Sequence, residues 1–207
     1  MAAMSVYADQ VLPRIINVAL SGKDFKKVRA RVASRLSGDV LEVGFGSGLN
    51  VPYYPADVRR VLAIDPATVG RKLAAKRVAA SHVPVEYVGL DGETLPVDSE
   101  SVDHVLLTWT MCTIPSVDVA LGEMHRVLRP GGQVHFVEHG RSPDPEVARW
   151  QDRLNPFQQW WAGGCNLNRP IDQLVQGAGF QMASLDNYYM KGPKAIGYIY
   201  EGVATRA

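Results

Sequence analysis

The sequence predicts an α/β fold: one doubly wound, Rossmann-like domain with a seven-stranded, mostly parallel sheet and helices on both faces. Three observations predict it. Short apolar runs alternate with helix-period segments along most of the chain, an order that demands right-handed crossovers between parallel strands. The central runs, at 39–43, 60–65 and 102–108, are almost continuously apolar, as strands covered on both faces are. The first of them enters a turn with glycine at every second position, Gly44, Gly46 and Gly48, which lets backbone pass close under a ligand.

Taken in order, Val6, Val11, Leu12, Ile15, Ile16, Val18 and Leu20 follow a loose helical pattern that Pro13 interrupts, giving a short or broken helix. A clearer helix covers 24–36, with Asp24 as candidate N-cap and Phe25, Val28, Val32 and Leu36 on one face. Its other face carries Lys23, Lys26, Lys27, Arg29, Arg31 and Arg35, a solvated surface or a weak contact for an anionic membrane through 23–35. Residues 1–37 are therefore expected to form a helical lid on a domain of residues 38–207. Within the domain the pattern predicts strand 39–43, a helix near 47–53, strand 60–65, helix 69–80, strands 84–88 and 102–108, helix 116–128 and strand 133–138. Pro130-Gly131-Gly132 stops the helix before that last strand, and Pro143-Asp144-Pro145 breaks the chain ahead of a helix at 146–161. A helix at 171–176, a turn at 177–179, a strand from Phe180 and a final strand at 195–204 complete the chain.

With 207 residues, 46% of them apolar, the chain supports a full core. A net charge of +1 argues against a nucleic-acid partner. Residues 1–12 lack the basic start and apolar run of a secretory signal, and no apolar stretch approaches the roughly 20 residues that span a bilayer. Cys112 and Cys165 show neither metal-ligand spacing nor a disulfide framework, so no metal and a reducing cytoplasm are expected.

In an open parallel sheet, ligands bind beyond the carboxyl ends of the strands. The glycine turn, Asp65, Asp91, Gly92, Thr108, Met111, Glu138 and His139 all stand at or just beyond strand ends and should share one rim. A dinucleotide fingerprint needs a third glycine at 49, where the chain has Leu49. Nor is there a Tyr-x-x-x-Lys pair: Tyr54 and Tyr87 are followed four residues on by Val58 and Asp91.

The pattern Glu42-x-Gly44-x-Gly46-x-Gly48 resembles motif I of the class I S-adenosylmethionine (SAM) methyltransferases. Asp91-Gly92-Glu93-Thr94-Leu95-Pro96 with Ser101-Val102-Asp103 is similar to their adenine-side stretch, and Arg126-Val127-Leu128-Arg129-Pro130-Gly131-Gly132 to the turn before their fifth strand. Thr108 to Ile114, Glu138-His139 and Gly163-Gly164-Cys165 with Arg169 resemble the thiol S-methyltransferase subgroup and its bacterial relatives. The resemblance covers roughly residues 38 to 182; Phe45 and Ser47 stand where that subgroup usually has Cys and Thr. It implies SAM as cofactor, a small lipophilic acceptor with a thiol favoured over phenol, quinone or lipid, and a cofactor site of Glu42, Gly44, Phe45, Gly46, Gly48, Asn50, Asp65, Pro66, Asp91, Gly92, Glu93, Thr108 and Met111. His139 is the candidate base for an acceptor thiol, being near neutral in ordinary pKa. Trp150, Phe157, Trp160 and Trp161 follow helical spacing in part and read either as a core stripe or, with Tyr53, Tyr54 and the N-terminal segment, as walls of an acceptor pocket.

Overall fold

The computed structural model describes residues 7–207; Val6, counted in the first helical stretch, lies outside them with the rest of 1–6. A π-helical turn, Tyr7–Val11, leads into α1 (Leu12–Ala19), with Pro13 in the first turn where its missing N–H costs nothing. Helix α2 (Lys23–Ala33) starts one residue earlier than expected, from Gly22, so Asp24 does not cap it but lies in its first turn. There the carboxylate still meets the positive end of the helix.

Seven strands follow: β1 (Gly38–Val43), β2 (Val58–Ile64), β3 (Val85–Gly89), β4 (Val102–Thr108), β5 (Leu128–His139), β6 (Phe180–Tyr189) and β7 (Tyr198–Arg206). Between them run α3 (Thr68–Ala79), α4 (Val117–Val127), α5 (Pro145–Trp161), α6 (Ile171–Gly177) and the single turn α7 (Lys194–Gly197). The sheet order is β3-β2-β1-β4-β5-β7-β6, and β7 runs antiparallel to the strands on either side of it, β5 and β6. Order reverses between β1 and β4, which makes the crevice beyond their carboxyl ends the natural ligand site.

Alternation along the strands explains the two covered faces. Leu41, Val43, Val105, Leu107 and Phe136 pack with Leu121, Met124 and Ile171 on one side. Val40, Val61, Ala63, Leu106 and Val137 pack with Val28, Val32, Leu36 and Ala74 on the other. Among the described residues no helix is long and apolar enough to cross a membrane.

Three local expectations are corrected. The helix near 47–53 is a single 3-10 turn, Val51–Tyr53, because Gly44, Gly46 and Gly48 all take positive φ and spend the segment on tight turns. Pro130-Gly131-Gly132 does not precede β5 but loops out of it: Val102 pairs with Leu128 and His104 with Gln133. The last strand starts at Tyr198, since Pro193 opens α7 first.

Gln151 in α5 is fully buried and ties three backbone groups together. Its amide donates to Gly140 O (2.8 Å) and Ala195 O (3.1 Å), while its carbonyl accepts from Ser142 N (2.8 Å). Gln151→Leu leaves those groups dry and unpaired, so urea unfolding should show a loss of about 2–5 kcal/mol with little change in m.

Candidate functional site

A cleft of about 650 Å³ opens at the β1/β4 reversal. Its strand side is formed by Gly44, Phe45, Gly46, Asp65, Asp91, Gly92 and Thr108; Leu12, Pro13, Ile16 and Leu20 close the other side. Gly44 has φ +80, and a Cβ there would strike the Thr110 hydroxyl at 2.1 Å, so no other residue fits. A Cβ on Gly46 would meet nothing nearer than 3.8 Å: the space above that backbone is the cleft. Asp65 accepts from Gly46 N (2.6 Å) and from Ala67 N (2.8 Å), tying the glycine turn to the start of α3. Both oxygens keep further lone pairs for a ligand's hydroxyls.

Trp109, the residue after β4, stands at φ 55, a left-handed conformation that costs about 1–3 kcal/mol in a non-glycine residue. Its N–H donates to Val137 O (2.9 Å), its ring takes Phe25 edge-on at 5.1 Å, and the Arg29 guanidinium stacks 4.9 Å from the ring centre. The bend delivers the next amide, Thr110 N, to Glu138 Oε1 at 2.7 Å.

Beneath the cleft lies a buried polar network. Arg29 donates to Asn50 Oδ1 (2.8 Å) and Thr108 Oγ1 (2.7 Å); Asn50 Nδ2 donates to Glu42 Oε1 (2.9 Å); Tyr54 OH donates to Glu42 Oε2. Burial lowers Arg29 to about 10 against the pull of Glu42, and burial raises Glu42 to about 7 despite its hydrogen bonds. Arg29 was expected on the solvated face of its helix. Instead it is 4% exposed and lines the cleft, with Nε buried and unpartnered. The sequence held a signal for this: residue 29 falls at helical spacing with Phe25, Val32 and Leu36, on the apolar stripe of its helix. Arg31 is exposed but engaged by Glu201 and Tyr188, and Lys23, Lys26, Lys27 and Arg35 are the other exposed basic residues of that face.

Of the expected cofactor residues, Gly44, Phe45, Gly46, Asp65, Pro66, Asp91, Gly92 and Thr108 line the cleft together. Glu42, Asn50 and Gly48 sit behind that surface, and Met111 is core. Glu93 turns to Ser116 N (2.8 Å), while Asp91 accepts from Glu93 N (2.8 Å), so the two acids brace one loop. Trp150, Phe157, Trp160 and Trp161 are exposed on α5 and do not line the cleft. Neither does His139. Its Nε2 lies 3.1 Å from Cys165 Sγ, and its Nδ1 is buried without a partner. Burial opposes its charge, yet the Cys165 sulfur holds the imidazole above its ordinary value; Cys165 is held low by the Cys112 thiol and by His139. The fold thus gathers two cysteines whose sequence spacing suggested nothing.

The methyltransferase domain family matches residues 41–136. Thiol S-methyltransferase TMT1A of Homo sapiens is 35% identical over 155 residues, 72% of this chain, and the chain spans 62% of that relative's length. Thiol S-methyltransferase TMT1B of Homo sapiens is 30% identical over 166 residues, covering 78% of this chain and 68% of the relative. The chain belongs to the class I SAM-dependent methyltransferases. A solved SAM-dependent methyltransferase of Thermotoga maritima shares this class I fold at TM-score 0.70 and 19% identity, covering 97% of this chain and all of that one. SAM is the cofactor of this methyltransferase, and the residues present fit it. The space above Gly46 is free of protein, Asp65 keeps acceptor capacity, and the Arg29 side chain lines the same cleft.

Because Glu42 titrates near 7 rather than its ordinary 4.5, ionising it costs the folded methyltransferase free energy. That cost is absent below the unfolded value and complete above the folded one, so stability falls as pH rises from about 4.5 to 7. Glu42→Gln removes this slope. Urea melts at pH 5 and pH 8 should show the variant gaining on the parent by about 1–3 kcal/mol at the higher pH.

Proposed function

We propose that this chain transfers the methyl group of SAM to the thiol sulfur of a small, lipophilic acceptor. The observation that carries the reading is the two-sided cleft, with acids and bare backbone on the strand side and an apolar wall of Leu12, Pro13, Ile16 and Leu20 opposite. The thiol is favoured by the relatives, both named thiol S-methyltransferases.

In this reading Asp65 accepts from the ribose hydroxyls, and Asp91 and Gly92 meet the adenine edge from the loop that Glu93 braces. Gly44, Gly46 and the guanidinium of Arg29 receive the methionyl end. Glu42, Gly48, Asn50 and Thr108 hold the turn and Arg29 in place; Phe45, Pro66 and Met111 give the site its shape. SAM supplies a methyl group on a cationic sulfur, already activated for displacement. The protein's part is alignment and exclusion of water, and positioning of this kind accounts for about 7–11 kcal/mol of a barrier.

Among the described residues, no histidine, cysteine, tyrosine or lysine lines the cleft. His139 is therefore not assigned as the base. The acceptor's proton leaves to solvent, and the thiolate, which is the attacking form, is favoured by the fixed charge of Arg29.

Calorimetry with SAM and with NAD, followed by transfer of labelled methyl into thiols, phenols and quinones, tests this reading. SAM should bind, NAD should not, and label should enter thiols; NAD binding without SAM, or label confined to phenols or quinones, defeats it. Asp65→Ala should weaken SAM binding about 10–100-fold through the lost charged hydrogen bonds. The pH profile of kcat/KM should climb to the acceptor's own pKa, about 8.5 for a simple thiol, with no break near 6.5 from a protein histidine.

A further inference from the structure

Behind the cleft wall, three loops converge. Cys112 follows β4, His139 ends β5, and Cys165 follows α5. Their sulfur and nitrogen atoms all lie within 4.8 Å of one another, and all three residues are buried. From this geometry we infer that Cys112, His139 and Cys165 form a binding site for a thiophilic divalent cation of the zinc class, independent of which acceptor the cleft takes.

The donor set is the first reason. Two thiolates and a neutral imidazole suit a borderline-soft d10 ion, at about 2.3 Å to sulfur and 2.0–2.1 Å to nitrogen. A tetrahedral ion at those lengths spaces its ligands at roughly 3.5–3.8 Å. The three ligand atoms lie within 4.8 Å of one another, with His139 Nε2 and Cys165 Sγ at 3.1 Å, so shifts of no more than about 1 Å bring them to that spacing.

Charge is the second reason. Two thiolates cancel a divalent ion, so the loaded site is neutral and survives burial that an unpaired charge would not.

Rigidity is the third. Asn166 donates to Cys112 O through both its backbone N–H (2.8 Å) and its side-chain amide (3.0 Å). Arg169 donates to Ile114 O at 2.7 Å and also to Met111 O, bracketing Cys112 from the far side. The two cysteine loops are thus clamped together by hydrogen bonds that need no ion, and the ligands are held in place before one arrives. Three protein ligands leave a fourth position open, the arrangement of zinc sites that exchange a water or small ligand rather than of closed structural sites. The site backs directly on the cleft, since Thr110, Thr113 and Ile114 line the cleft around Cys112, and Gly163 lines it two residues before Cys165.

The test is titration of the reduced full-length protein with Cd²⁺, following the ultraviolet sulfur-to-cadmium charge-transfer band. One equivalent should saturate it, and Zn²⁺ should displace it. Cys112→Ser and Cys165→Ser should each weaken binding by more than about 100-fold, because even outer-shell changes cost about 10–100-fold. Calorimetric SAM binding should persist in both variants, which separates loss of the metal site from loss of the fold. Absence of the band in reduced, SAM-binding protein overturns the inference, as does unchanged affinity in Cys165→Ser. If a serine variant does not fold, Zn²⁺ protection of the parent's thiols against a maleimide decides instead: two protected thiols support the site, none overturns it. Peptide mapping that finds Cys112 and Cys165 joined as a disulfide in protein isolated without metal would replace the cation site with a redox pair.

Discussion

The burial of one positive charge organises this molecule. Arg29 comes from the helix that precedes the sheet, yet its guanidinium ends under the cleft, bonded to Asn50 and Thr108 and stacked on Trp109. A cation so placed is tolerated only with its partners: removing one side of a buried pair typically costs about 3–5 kcal/mol. The partners come from β1, β4 and the turn between β1 and β2, so the same bonds that satisfy the charge also lock helix, glycine turn and strand end into one unit. The N-terminal helices are therefore part of the site rather than an appendage to it.

That anchoring also allows the cleft to hold unfavourable backbone. Trp109 persists at positive φ because Phe25, Arg29 and Val137 fix its ring and amide. Thr110 then fills the position that a side chain on Gly44 would occupy. Strain at the strand end, glycine at the turn and the buried cation meet in one place, the strand side of the cleft. The opposite wall carries no such demands and is built from apolar side chains of α1 and the turn after it.

A second rigid centre sits beside the first. Asn166 and Arg169 clamp the loops that carry Cys112 and Cys165, and His139 closes the group from β5. Histidine at a strand end is usually read toward the ligand cleft. Here the ring turns to sulfur because the loop after α5 reaches over the end of β5 and supplies Cys165.

Periodicity and local chemistry determined, from sequence alone, the alternating α/β order, the covered strands and the rim on which Gly44, Gly46, Asp65, Asp91 and Thr108 lie together. Each of those depends on short-range rules: apolar runs, glycine's freedom at positive φ, and the convergence of parallel strand ends. Tertiary structure decided the rest, because it depends on contacts between residues far apart in the chain. Arg29 looked like one more cation on a basic helix until Asn50 and Thr108 were brought beneath it. Cys112 and Cys165 looked unrelated until two loops were clamped together, and the aromatic residues of α5 looked like a pocket wall until the helix turned them outward. No local pattern encodes such partners, since desolvation and hydrogen bonding act on whatever the fold places within a few ångströms.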